Sequence, residues 1–175
     1  MNQRAESTGA HNPDAHTGAR NEKGNPVMAK YHAAVESRRP AHDTFDYLAT
    51  FSNAAEWDPG VLAARQLDPG PVRAGTRFRL VVPFLGRRLP LTYAVTDYQR
   101  GRSVTLTATS ALLRATDRIE VTDKAMVSYD AEVVLRGPLR AFDPLLRPGF
   151  RAVAERAAHG LALVLGSPAP LGMRP

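Results

Sequence analysis

Apolar and polar residues alternate along most of the chain between positions 30 and 136, and two stretches that break the alternation say as much as the pattern itself. Tyr31, Ala33 and Val35 alternate with His32, Ala34 and Glu36, the period-two signature of a strand with one covered face. Val61 to Leu67 predicts a second strand, closed by Asp68-Pro69-Gly70-Pro71. Phe78, Leu80 and Val82 alternate with Arg77, Arg79 and Val81, and after Leu85-Gly86-Arg87-Arg88 the pattern resumes at Leu89, Leu91, Tyr93 and Val95. That is a hairpin with arginine on its rim. Three more strands follow. Val104, Leu106 and Ala108 mark the first, Ala115, Asp117, Ile119 and Val121 the second, and Val127, Tyr129, Ala131, Val133 and Leu135 the third. One face of every strand is apolar, as in antiparallel sheets covered on one side.

The first break is FDYLATFSNAAEWDPGV, residues 45–61. Phe45, Leu48, Ala49 and the Phe51-Ser52 pair follow helical spacing, and Asn53 can start a second turn. Asp58-Pro59-Gly60 would end that turn with Trp57, the only tryptophan, at the corner. The second break runs from about Leu139 to Leu165. Phe142, Leu145-Leu146, Phe150, Val153, Ala157, Leu161 and Leu165 recur there at steps of three and four. This segment can cross a whole sheet, with Pro144 and Pro148-Gly149 predicting a break or a kink.

The ends read differently. Residues 1–29 hold almost no bulky apolar side chain and predict a disordered tail. The folded domain is expected over 30–166, and residues 167–175, opening on Ser167-Pro168-Ala169-Pro170, as a loose stub. No apolar run has signal-peptide or membrane-span length, which with the absence of cysteine predicts a soluble, cytoplasmic protein. The net charge of +6 raises nucleic acid or an anionic membrane as partners. Only Arg38-Arg39 and Arg87-Arg88 are adjacent pairs, however, and no aromatic residues interleave with them as a base-stacking platform requires. Scattered surface arginine is the simpler reading, and it argues against nucleic acid.

The order of strand, two short helices, six strands and a long C-terminal helix resembles the START-like helix-grip fold of the SRPBCC superfamily, in its polyketide cyclase/dehydrase and lipid-transport-like branch. FDYLATFSNAAEWDPGV at 45–61, PVRAGTRFRL at 71–80, LPLTYAVTDY at 89–98 and MVSYDAEVVLRGPLRAFDPLL at 126–146 carry the likeness. The resemblance implies an α+β fold in which a curved antiparallel sheet of about seven strands wraps around the long helix. It also implies a cavity between the two that takes lipids, polyketides, sterols or other apolar ligands. Some members catalyse cyclisation or dehydration, but the superfamily has no common catalytic motif, so the resemblance carries over no reaction.

Inward positions on the strands and the last helix are the candidate ligand contacts. These are Phe78, Leu80, Leu91 and Tyr93 on one hairpin, Leu106, Ile119 and Tyr129 on later strands, Phe150 on the helix and Trp57 at the corner. Asp117 is the candidate catalytic group, because it takes inward parity on an apolar face and a desolvated carboxyl can titrate in the general-acid range. A hydrogen-bonded structural aspartate is the alternative. Tyr93 and Tyr129 could donate to a ligand carbonyl or be satisfied within the core. No nucleophile elbow, phosphate loop, dinucleotide fingerprint or HExxH helix occurs, so no metal or cofactor is expected. Two functions from different classes fit: a carrier or binding module for a small hydrophobic ligand, or a polyketide cyclase/dehydratase using acid/base groups of the cavity.

Overall fold

The computed structural model describes residues 29–166 and 171–174, and for 140, 142–148, 150, 151 and 171–174 the backbone only. Strand β1 (Ala29–Glu36) leads into helix α1 (Ala41–Ala49), a 3-10 turn at Phe51–Asn53 and the single-turn helix α2 (Ala54–Trp57). Strands β2 (Ala63–Gln66), β3 (Arg77–Phe84), β4 (Arg87–Gln99), β5 (Ser103–Thr109), β6 (Leu113–Val121) and β7 (Met126–Leu135) follow. A second 3-10 segment (Gly137–Phe142) precedes helix α3 (Asp143–Leu165), and β8 (Leu171–Arg174) comes last. The strands form one sheet in the order β2-β3-β4-β5-β6-β7-β1-β8, antiparallel throughout.

The elements expected from periodicity are present, with three differences. The second strand is shorter than Val61–Leu67, spanning Ala63–Gln66, because Val61 and Leu62 are held by the preceding turn and by a single bond from the Leu62 amide to the Val81 carbonyl. Within the segment expected to be a loose stub, Leu171–Arg174 pairs with β1. The third difference is in α3, which runs through both prolines as one continuous helix, without the break that was one of the two outcomes expected. Pro144 stands in the first turn, where its missing N–H has no intrahelical acceptor to lose. Pro148 leaves one carbonyl without its donor, and downstream Ala157, Leu161 and Leu165 are buried deeply enough to hold the helix on the sheet.

A β-bulge does what the alternating pattern alone could not. Val95 faces Leu106 and Asp97 faces Thr105, so Thr96 is an extra residue in β4. The bulge sharpens the local twist and reverses the parity of the strand's end. Tyr98 thereby turns inward, its ring 5.7 Å from that of Phe45 on α1. Phe51 packs edge-on against Phe78 at 6.3 Å and Tyr93 at 5.3 Å. Thus α1 and the 3-10 turn after it fill one end of the curved sheet with a solid core.

The other half of the sheet is covered by α3, which lies across β1 and α2. Two glycines permit the close approach. A Cβ on Gly160 would fall inside the Trp57 carbonyl oxygen, and one on Gly60 would stand 2.7 Å from Val153 Cγ1. The corner Trp57–Gly60 is therefore held close against the long helix, the Trp57 carbonyl against the backbone of Gly160 and Gly60 against the Val153 side chain.

Candidate ligand cavity and carboxyl cluster

Where α3 parts from the sheet, a cavity of about 160 Å³ remains. Its deep wall is Tyr93, Asp117, Tyr129 and Ala157, and its outer wall is Val82, Pro83 and Phe84 of β3 with Leu113, Val133 and Val153. The cavity opens at the end of the sheet formed by the start of β1, the β3–β4 hairpin and the β5–β6 turn. A void of roughly 150 Å³ takes a guest the size of benzene, whereas drug-sized ligands occupy roughly 300–1,000 Å³.

Asp117 is 6% exposed, in the middle of β6 with Leu106 and Ala131 as its cross-strand neighbours. The Tyr129 hydroxyl donates to its Oδ1 at 2.6 Å. Burial pushes the carboxyl up to about 6; the hydroxyls of Tyr129 and Tyr93 pull it down, and the nearby Asp58 carboxylate pushes it further up. Burial first, and then the Asp117 charge, raise both tyrosines well above their ordinary value. A tyrosine has one hydroxyl proton. Tyr129 spends it on Asp117 and presents only lone pairs to a guest, so of the two roles left open by the sequence it takes the one satisfied within the core.

Three polar residues of the cavity lining, Asp58, Tyr31 and Glu132, were not singled out from the sequence. Asp58 follows α2 and lines the cavity together with Gly60. Its carboxyl is raised to about 6 by burial, against the pull of the Gly60 amide, which donates to Oδ1 at 2.7 Å. That bond is ordinary Asx-turn chemistry, which is why Asp-Pro-Gly reads as a turn and nothing more. Tyr31 also lines the cavity, and its hydroxyl is buried without a hydrogen-bond partner among the described residues. Burial and the charges of Glu155 and Asp58 push it up to about 12. Its inward parity on β1 was the available signal.

Of the residues expected to contact a ligand, the structure brings Leu91, Tyr93, Tyr129 and Asp117 to the cavity wall. Phe78, Leu80, Leu106 and Ile119 share their inward parity but lie fully buried in the core, where the sheet interior is already filled from α1 and the turn after it. Trp57 is buried behind the wall, edge-on to Tyr129 at 5.4 Å, with its indole nitrogen unpartnered among the described residues. The side chain of Phe150 lies outside the described residues. Of the histidines, His32 bonds Asp130 across β1 and β7 at 2.8 Å, and His159 is exposed on α3. Among the described residues no three His, Asp or Glu side chains gather closely enough to hold a metal ion.

A curved antiparallel sheet gripping a long C-terminal helix, with an apolar cavity between them, defines a START-like helix-grip protein. The chain belongs to the family described as "Polyketide cyclase / dehydrase and lipid transport", whose model matches residues 28–166. Among solved structures it is similar to the ZhuI aromatase/cyclase from Streptomyces sp. R1128, with 19% identity and a TM-score of 0.61 over 79% of this chain and 92% of that one. It is also similar to a START superfamily protein from Mycobacterium smegmatis, with 14% identity and a TM-score of 0.60 over 79% of this chain and 96% of that one. No curated protein sequence matches the chain. Family and fold together point to a hydrophobic-ligand or polyketide-cyclase-like module.

Proposed function

We propose that the protein binds a small hydrophobic ligand, lipid- or polyketide-like, in the cavity between sheet and α3, and acts as a carrier or binding module. The observation that carries this reading is the Tyr31 hydroxyl, a buried donor without a partner among the described residues, on the wall of the cavity. Such a donor costs about 1–3 kcal/mol when left unsatisfied, and an oxygen on the ligand recovers that cost. Apolar burial supplies the rest of the affinity, at about 25 cal/mol per Å². At about 160 Å³ the cavity holds one ring or the end of a chain, so a longer ligand extends through the mouth beside Val153.

Native mass spectrometry of the freshly purified full chain tests this reading by looking for a co-purified apolar mass, and calorimetry with 1-naphthol tests it with a defined probe. Binding of 1-naphthol weakened about three- to tenfold by Tyr31→Phe, the worth of one neutral hydrogen bond, is the expected result. A chain that carries nothing and takes up no 1-naphthol ends the proposal.

A second reading, cyclisation or dehydration of a polyketone-like chain, draws support from two carboxyls, Asp117 and Asp58, both held near 6 in one cavity. Ionised Asp117 would take a C–H proton lying between two carbonyls. The enolate carbon would attack a further carbonyl, and the protonated carboxyl would return its proton to the new alkoxide. Loss of turnover with binding retained in Asp117→Asn favours this reading, and unchanged turnover removes it.

A further inference from the structure

Large apolar side chains are unevenly exposed. Of the five among the described residues, Leu62 (49% exposed), Leu85 (59%), Leu112 (38%) and Val153 (38%) stand at one end of the molecule, the end where the cavity opens. The register puts them there. Leu62 precedes Ala63 of β2, which faces Val81; Leu85 is the tip of the β3–β4 hairpin, and Leu112 precedes β6 in the turn after β5. Val153 is part of the cavity wall. The hairpin also overhangs its neighbour. The last β4–β5 pair is Tyr93 with Ala108, so Arg87 to Thr92 project beyond it by roughly 20 Å at about 3.3 Å per residue.

The tip itself is expensive. Leu85 has φ of 49°, in the left-handed region that glycine and asparagine enter at far lower cost. An exposed leucine is thus a costly residue for this turn, and its side chain lies outside the core. Around it the charge is positive: Arg87, Arg88 and Arg114 are exposed and make no ion pair among the described residues, and Arg136 reaches only the Ser110 carbonyl. Carboxylates are present at this end too: Asp58 and Glu132 line the cavity, and Glu155 of α3 lies near Tyr31.

We propose that this rim docks on an anionic lipid surface, with Leu62, Leu85 and Leu112 entering the headgroup boundary and Arg87, Arg88 and Arg114 pairing with lipid phosphates. Apolar tips alone would suit many partners, and arginines alone would suit any polyanion. The combination fits an interface that is anionic at its surface and apolar a few ångströms below. The cavity then opens against the bilayer, and an apolar guest need not cross water to enter. The docking does not depend on what the cavity holds.

Flotation of the full chain with vesicles of phosphatidylcholine alone, and of phosphatidylcholine with phosphatidylglycerol, tests the proposal. Binding is expected only to the anionic vesicles and falls as salt rises. Replacing both Arg87 and Arg88 by glutamine lowers the partition coefficient about 25-fold, at about fivefold per arginine. Leu85→Asn lowers it severalfold while the melting temperature holds or rises, because asparagine accepts the left-handed backbone; this separates a docking role from a folding defect. Absence of binding to anionic vesicles at low salt, or equal binding by these variants, overturns the proposal. Arginine-dependent binding of poly-L-glutamate without binding to vesicles would assign the rim to an acidic protein and likewise overturn it.

Discussion

Asp117 owes its unusual chemistry to position. A carboxyl at the centre of β6, facing inward between apolar neighbours, is pushed to about 6 by desolvation even though two tyrosines stabilise its charge. With both Asp117 and Asp58 near 6 rather than 3.8, the protonated forms are the ones the fold favours. Their contribution to stability is complete below pH 4 and is lost as pH rises through 6. For Asp117 alone the difference amounts to about 3 kcal/mol. Asp117→Asn, neutral at every pH, should therefore gain on the natural protein by up to about that amount between pH 4 and pH 8, measured by urea denaturation at the two pH values. A deficit equal at both would mean that folding does not raise the carboxyl above its ordinary value. Asp117, Tyr93 and Tyr129 were legible because strand parity is decided locally. Asp58 was not: its burial comes from α3, about a hundred positions later in the chain, and its local sequence already had a complete explanation as a turn.

The contact between α2 and α3 depends on a residue that has no side chain. Gly160 lies in the middle of a helix, where alanine ordinarily adds about 1 kcal/mol of stability. Here the added methyl would meet the Trp57 carbonyl oxygen, and backbone cannot swing aside as a flexible side chain does. Gly160→Ala should therefore destabilise the protein by about 1–3 kcal/mol, seen as a lower midpoint in thermal denaturation. A neutral or stabilising result would mean that α3 stands further from the corner. The two short helices and the long one could be read from apolar periodicity, but the bulge at Thr96 could not. Threonine at an outward position looks the same in a regular strand and a bulged one, and only the pairing of Asp97 with Thr105 reveals the extra residue.

At the scale of the molecule, the sheet has two edges, β2 and β8, and the longer β1 would become the edge if β8 were absent. β1 pairs with β7 on one side and with Leu171–Arg174 on the other. Deleting residues 167–175 should expose a row of unpaired β1 backbone groups and promote edge-to-edge association, visible as a concentration-dependent mass in analytical ultracentrifugation. A truncated chain that sediments like the full one would show that β1 is guarded by other means. The fold class was legible because antiparallel hairpins keep sequence order and spatial order together. The pairing of β1 with β7 across the whole chain was not legible in any local pattern. The division of the interior into a solid half and a hollow half was not legible at all. Phe78 and Leu91 carry the same parity on neighbouring strands, and what separates them is whether Phe51 or empty space lies opposite.

The chain's single tryptophan gives the cavity an optical read-out of its own. Trp57 is shielded from water, edge-on to Tyr129, and Tyr129 is tied to Asp117. Its emission should therefore be blue-shifted, and its intensity should follow the ionisation of the carboxyl one residue away with an inflection near pH 6. Occupancy of the cavity would change the same signal, so proton and guest can be followed through one native fluorophore without any label.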